Sequence, residues 1–210
     1  MTTKRKGSLT LAEHHAQLKA EGKWDEYVAR KQEQTNALAT KRAELASAEA
    51  PLVEDLWSAG LDVGSVWDLV NTAKPYPEAI PVLLKHLRGK YPEIVKEGIL
   101  RALAVPDALP AWKELRRIFE TEPSKDTGGL RWAAACALGA SADDSVLPEI
   151  IRLARDAALG FDRAPLLEAL KRSNSADAKM ALHELRADPV IGKEVKKSRR
   201  MDRLRAKSDK

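Results

Sequence analysis

A single cysteine, Cys136, in 210 residues rules out an internal disulfide framework. Aromatic residues make up only 5% of the chain, and Val and Ile are sparse beside Ala, Leu, Glu, Lys and Arg. A β-sandwich or barrel has too little to build on, and an all-α protein is expected. No apolar run approaches the roughly 20 residues of a membrane-crossing helix. The opening MTTKRKGSLTLAEHH has basic residues without the apolar stretch of a secretory signal. A cytoplasmic protein with no membrane partner is therefore expected. A phosphate-cradling loop is missing too, since DTGGL at 126–130 lacks the following Gly-Lys-Ser/Thr and reads as a turn and N-cap. Cys136 lies within AAACALGA, on what should be a packed helix, and reads as a small core residue rather than a nucleophile.

Charge is present in quantity but unevenly placed. The formal net charge is +5, yet residues 193–210 alone carry nine basic and three acidic residues, and residues 1–6 carry three basic ones. The body between them is net acidic. The C-terminal tail, with Lys196, Lys197, Arg199, Arg200, Arg203 and Arg205, is the segment expected to make weak, non-specific nucleic-acid contact.

Three segments align on a proline: AIPVLLKHLR at 79–88, ALPAWKELRR at 108–117 and VLPEIIRLAR at 146–155. Ile80, Leu83, Leu84 and Leu87 fall at i, i+3, i+4 and i+7, and Leu147, Ile150, Ile151 and Ala154 repeat that spacing. Each segment predicts an amphipathic helix with Pro81, Pro110 or Pro148 in its first turn. A second helical segment follows each: KEGILRALAV at 96–105, RWAAACALGA at 131–140 and RAPLLEALKR at 163–172. Their shared Ala-Leu pairs end on Leu103, Leu138 and Leu170, 35 and 32 residues apart. This is a helix-pair repeat, and Ala178, Ala181, Leu182 and Leu185 mark a degenerate fourth unit.

LRWAAACALG resembles the second helix of a HEAT-like repeat of the armadillo type, in which an apolar residue and an Arg precede an Ala-rich stretch ending in Ala-Leu. Lys96, Arg131 and Arg163 fall at that family's basic position, and the likeness covers roughly residues 75–200. It implies a short α-solenoid in which small residues let stacked helices approach closely. It also implies an Asp shortly before the basic residue, contributing to a buried ladder. The chain departs from this, since Asp126 precedes Arg131 by five, Asp162 adjoins Arg163, and the first repeat has Pro92 and Glu93.

Residues 1–50 read as two helices interrupted around Gly22 and are expected to cap an end of the array, because Leu38, Leu45 and Leu52 do not sustain coiled-coil heptads. Residues 51–75 read as a shorter helical pair anchored by Trp57 and Trp67, residues 76–192 as the repeats, and residues 193–210 as the basic tail.

The repeats suggest two basic rows. Arg88, Arg117 and Arg155 each lie seven residues after the repeat proline and are expected along one edge, able to meet an acidic protein surface. Lys96, Arg131 and Arg163 form the second row, for which structural pairing competes with recognition. No catalytic residue, metal ligand or cofactor site is assigned. Of His14, His15, His86 and His183, only His183 in HEL is similar to the His-Glu pairs of iron-binding HEAT-like hydroxylases, which need several such pairs; His86 and His183 are placed on the polar flank of a first helix. Together these features describe a bacterial, cytoplasmic, non-catalytic scaffold that binds another protein. The alternative is a nucleic-acid-binding HEAT-like protein, in the limit a repair enzyme similar to the alkylpurine DNA glycosylases. It would use Trp112 or Trp132 as an exposed aromatic surface, although Trp112 shares an apolar stripe with Leu115 and Phe119.

Overall fold

A computed structural model describes residues 9–125 and 127–197. Among them the regular structure is helical, and the one β-type pairing is an isolated bridge between Lys125 and Gly128. The chain divides into two compact units, residues 1–47 and 48–210.

In the first unit, helix α1 (Leu11–Ala20) starts at a capping box in which the Thr10 hydroxyl accepts from the Glu13 N–H while the Glu13 carboxylate accepts from the Thr10 N–H. Its His14 and His15 rings meet Trp24 and Tyr27 at the start of helix α2 (Trp24–Ser58), and Lys19 lies 4.7 Å from the centre of the Trp24 ring. Helix α2 has 35 residues and does not stop near residue 50. Pro51 lies inside it, a placement that costs about 3 kcal/mol. Within the second unit, the burial of Leu52, Val53 and Leu56 offsets that cost.

The second unit is built from short helices. Helix α3 (Val66–Val70) begins at Ser65, and the buried Glu49 carboxylate accepts from both the Ser65 hydroxyl and the Val66 N–H. Then follow α4 (Ala79–Leu87), α5 (Glu93–Ala102), α6 (Trp112–Thr121), α7 (Gly129–Ser141), α8 (Leu147–Arg155), α9 (Leu167–Arg172) and α10 (Ala176–Glu184). Pro81 and Pro148 occupy first turns, whereas Pro110 ends a 3-10 segment, Pro106–Ala111, that leads into α6. A second 3-10 segment, Ala157–Leu166, replaces the expected first turn of the third repeat's second helix, so α9 covers only the end of RAPLLEALKR. Gly160 makes the bend inside it with φ 58°, a left-handed conformation that costs glycine least.

Helix α7 is the hub: α5, α6, α9 and the 157–166 segment all pack against it. Ala133, Ala134, Ala135, Ala137 and Leu138 have no exposed surface. The alanine run thus puts neighbouring backbones close together, and Gly139 shows how close, since a Cβ there would stand 2.5 Å from the Pro165 carbonyl oxygen. The aligned leucines Leu103, Leu138 and Leu170 are likewise fully buried.

Candidate functional site

The first helices of the repeats are laced by ion pairs with a near-constant sequence offset. From α2 to α4, Asp55 accepts from Lys85 and His86, 30 and 31 residues away. Between α6 and α8, Arg116 reaches Glu149 at 2.9 Å and Arg152 reaches Glu120 at 2.8 Å, offsets of 33 and 32. Arg155 of α8 holds Glu184 of α10 at 2.6 Å, an offset of 29. The Trp112 indole N–H also donates to Glu149, and this bond, followed by the Arg116 guanidinium, holds the Glu149 carboxyl below its ordinary range.

Within this lacework, Arg88, Arg117 and Arg155 are all exposed and stand at the C-terminal cap or late turns of α4, α6 and α8. Arg117 donates to Glu114 at 2.7 Å. That bond lowers the Glu114 carboxyl, and the more distant charge of Arg88 lowers it further. Pairs this exposed hold weakly.

The second row does not form a surface. Arg163 has no exposed area and is withdrawn from the candidate binding residues: its guanidinium donates to the carbonyls of Gly160 and Ala154, each at 2.9 Å, and to Asp188 at 3.0 Å. Arg131 is mostly buried; it donates to the Phe119 carbonyl at 3.0 Å and lies 3.8 Å from the fully buried Asp162 carboxylate. Arg163 is thus hydrogen-bonded to Asp188, whereas Arg131 approaches Asp162 without a hydrogen bond, and in both cases the carboxylate lies later in the chain than the guanidinium. Lys96 is half-buried on α5. Of the tail, Lys196 and Lys197 are exposed at the end of a helical stretch at 192–197, and Lys197 pairs with Glu194; Arg199, Arg200, Arg203 and Arg205 lie outside the described residues.

His86 is not a solvated flank residue. It is buried, with Nε2 2.6 Å from Asp55 and Nδ1 2.6 Å from the Tyr91 hydroxyl, so both ring nitrogens are satisfied without a metal. His183 is exposed. Among the described residues, no three His, Cys, Asp or Glu side chains converge as a metal site requires. The His86 arrangement was missed from sequence, although Asp55 lies one repeat interval upstream, the same offset that relates the other cross-helix pairs.

Concave features among the described residues include a cleft and a groove. A cleft of about 590 Å³ is bounded by Leu69, Val70, Tyr76, Arg101, Val105 and Cys136. Burial pushes the Cys136 thiol up, outweighing the opposing charge of Arg101. A smaller groove of about 290 Å³ runs between α8 and α10 along Leu147, Ile151, Arg155, Asp177 and Met180. Of the two tryptophans considered for a base-flipping site, Trp112 is buried against the core, and Trp132 is half-buried and stacks on Phe161 with ring centroids 5.7 Å apart. Among the described residues, no helix is long and apolar enough to cross a membrane.

Comparison with protein-family models, with curated proteins and with solved structures finds no match to this chain.

Proposed function

We propose that the chain is a HEAT-like helical-repeat scaffold that binds another protein through the edge carrying Arg88, Arg117 and Arg155, without catalysing a reaction. The observation that carries this reading is that Arg88, Arg117 and Arg155, each seven residues after a repeat proline, are all exposed. The repeat reading is supported by the 29 to 33 residue offsets of the cross-helix ion pairs and by the buried Arg131 to Asp162 and Arg163 to Asp188 links. A row of guanidiniums held by exchangeable surface pairs suits a partner segment rich in Asp and Glu. The protein is proposed to act in the bacterial cytoplasm, with the basic tail adding weak nucleic-acid contact.

Pull-down from cell extract with the Arg88→Glu, Arg117→Glu, Arg155→Glu triple variant tests the edge. Loss of an acidic partner held by the unaltered chain, with an unchanged melting profile, is the expected result; retention of every partner ends this reading. For the tail, filter binding of DNA across a salt series compares the full chain with one cut after Lys197. Because Ile191 and Val195 are buried, a cut there spares the core. Non-specific retention should fall with the cut and should fall with salt in the full chain.

A further inference from the structure

The groove between α8 and α10 shows what kind of partner segment would fit beside the proposed arginine edge. Arg155, the last residue of α8, pairs with Glu184, the last of α10, while Leu147 and Asp177 lie near the two helix starts, so the helices run side by side in the same direction. Their facing surfaces make a channel about 12 Å long, at 1.5 Å per residue from Leu147 to Arg155. Its middle is apolar, with Ile151 forming the floor and Met180 the wall. Met180 is 54% exposed, large for an apolar side chain among helices whose other apolar residues are mostly buried. A thioether wall adapts to the shape of an inserted side chain.

One end carries an unpaired carboxylate and the other an ion pair. Asp177 stands at the start of α10 and has no ion-pair partner among the described residues. At the other end, Arg155 is engaged only by Glu184, in a pair whose members are 44% and 50% exposed. Such an exposed pair is weak, so a carboxylate from outside competes with Glu184 for the Arg155 guanidinium. We infer that the groove receives an amphipathic helix whose apolar anchor seats against Met180 and Ile151, with a carboxylate reaching Arg155 on one side and a Lys or Arg reaching Asp177 on the other. One helical turn separates the anchor from each charge, which gives the order Asp/Glu, three residues, large apolar residue, three residues, Lys/Arg. This order puts the acid toward the partner's N-terminus and the base toward its C-terminus, as the helix dipole favours, so the bound helix runs antiparallel to α8. The inference rests on the protein-binding reading above and adds the partner's sequence pattern to it.

The test is a display selection of helical peptides of about 18 residues, randomised on one face, against the full chain. The strongest selected peptide is then measured by fluorescence anisotropy. The expected result is enrichment of the acid, apolar, base order and roughly tenfold weaker binding to Met180→Glu, a substitution at an exposed site that leaves the fold intact. Arg155→Glu should shift preference to the charge-reversed peptide. Selected peptides without that order, or undiminished binding to Met180→Glu, overturn the inference. Self-association of the chain that Met180→Glu abolishes overturns it as well, because the groove would then hold a second copy. If binding survives Met180→Glu but fails with Arg88→Glu and Arg117→Glu together, the groove falls and the edge stands. Indifference to all of these variants removes both.

Discussion

A guanidinium with no exposed surface is costly to bury unless its donors are answered, and at Arg163 the carbonyls of Ala154 and Gly160 and the Asp188 carboxylate answer them. Removing it takes the charged partner from Asp188 and the donors from two carbonyls, and a broken buried pair costs more than a surface pair of the same geometry. Arg163→Met should lower unfolding stability by about 3 kcal/mol at neutral pH, read as a fall in the urea midpoint. Asp188 links the same site to pH. Burial pushes its carboxyl up, but the Ile191 N–H, the Arg163 guanidinium and the Val190 N–H together bring it below its ordinary value. A carboxyl depressed in the folded state contributes stability that is present above the ordinary carboxylate range and lost as pH falls through the folded value. The urea midpoint should therefore drop between pH 7 and pH 3 by more in the unaltered chain than in Asp188→Asn. Equal drops would show that Asp188 carries no pH-dependent stability.

At the scale of elements, the packing of α7 leaves almost no tolerance for volume. Ala134 has no exposed surface, and overfilling such a site typically costs 1 to 3 kcal/mol, so Ala134→Leu should lose about 2 kcal/mol. Gly139→Ala is a harsher test, since its new carbon would meet the backbone of Pro165, which has no rotamer with which to yield. Unchanged urea midpoints in both variants would contradict this packing. The helical faces were readable in advance, because Leu147, Ile150, Ile151 and Ala154, like Ala178, Ala181, Leu182 and Leu185, follow a 3.6-residue period and are all buried. Three features were not readable. The 3-10 segment Ala157–Leu166 has the composition of a helix and is set by tertiary contacts; Pro51 usually marks a helix start, yet it is carried through by the burial around it; and the burial of His86 depends on Asp55, far away in sequence. Of the arginine rows, sequence position gave the register, but only the fold separates the exposed Arg88, Arg117 and Arg155 from the buried Arg163.

For the molecule as a whole, the consequence of packing α5, α6, α9 and the 3-10 segments Pro106–Ala111 and Ala157–Leu166 against α7 is that stability is pooled rather than shared out along the chain. In a strictly linear array each unit leans only on its neighbours and can fray from an end. Here α5, α6, α9 and the 157–166 segment all lose a packing surface if α7 opens. The amide protons of α7 should therefore exchange with solvent deuterium only through global unfolding, with protection equal to the full unfolding free energy. Residues 25–44 of α2 are nearly all exposed and should exchange orders of magnitude faster through local opening. A variant such as Ala134→Leu should then speed exchange in α5, α6 and α9 together and by the same factor, while leaving residues 25–44 as they were, so the second unit would melt as one cooperative block whose keystone is an alanine helix.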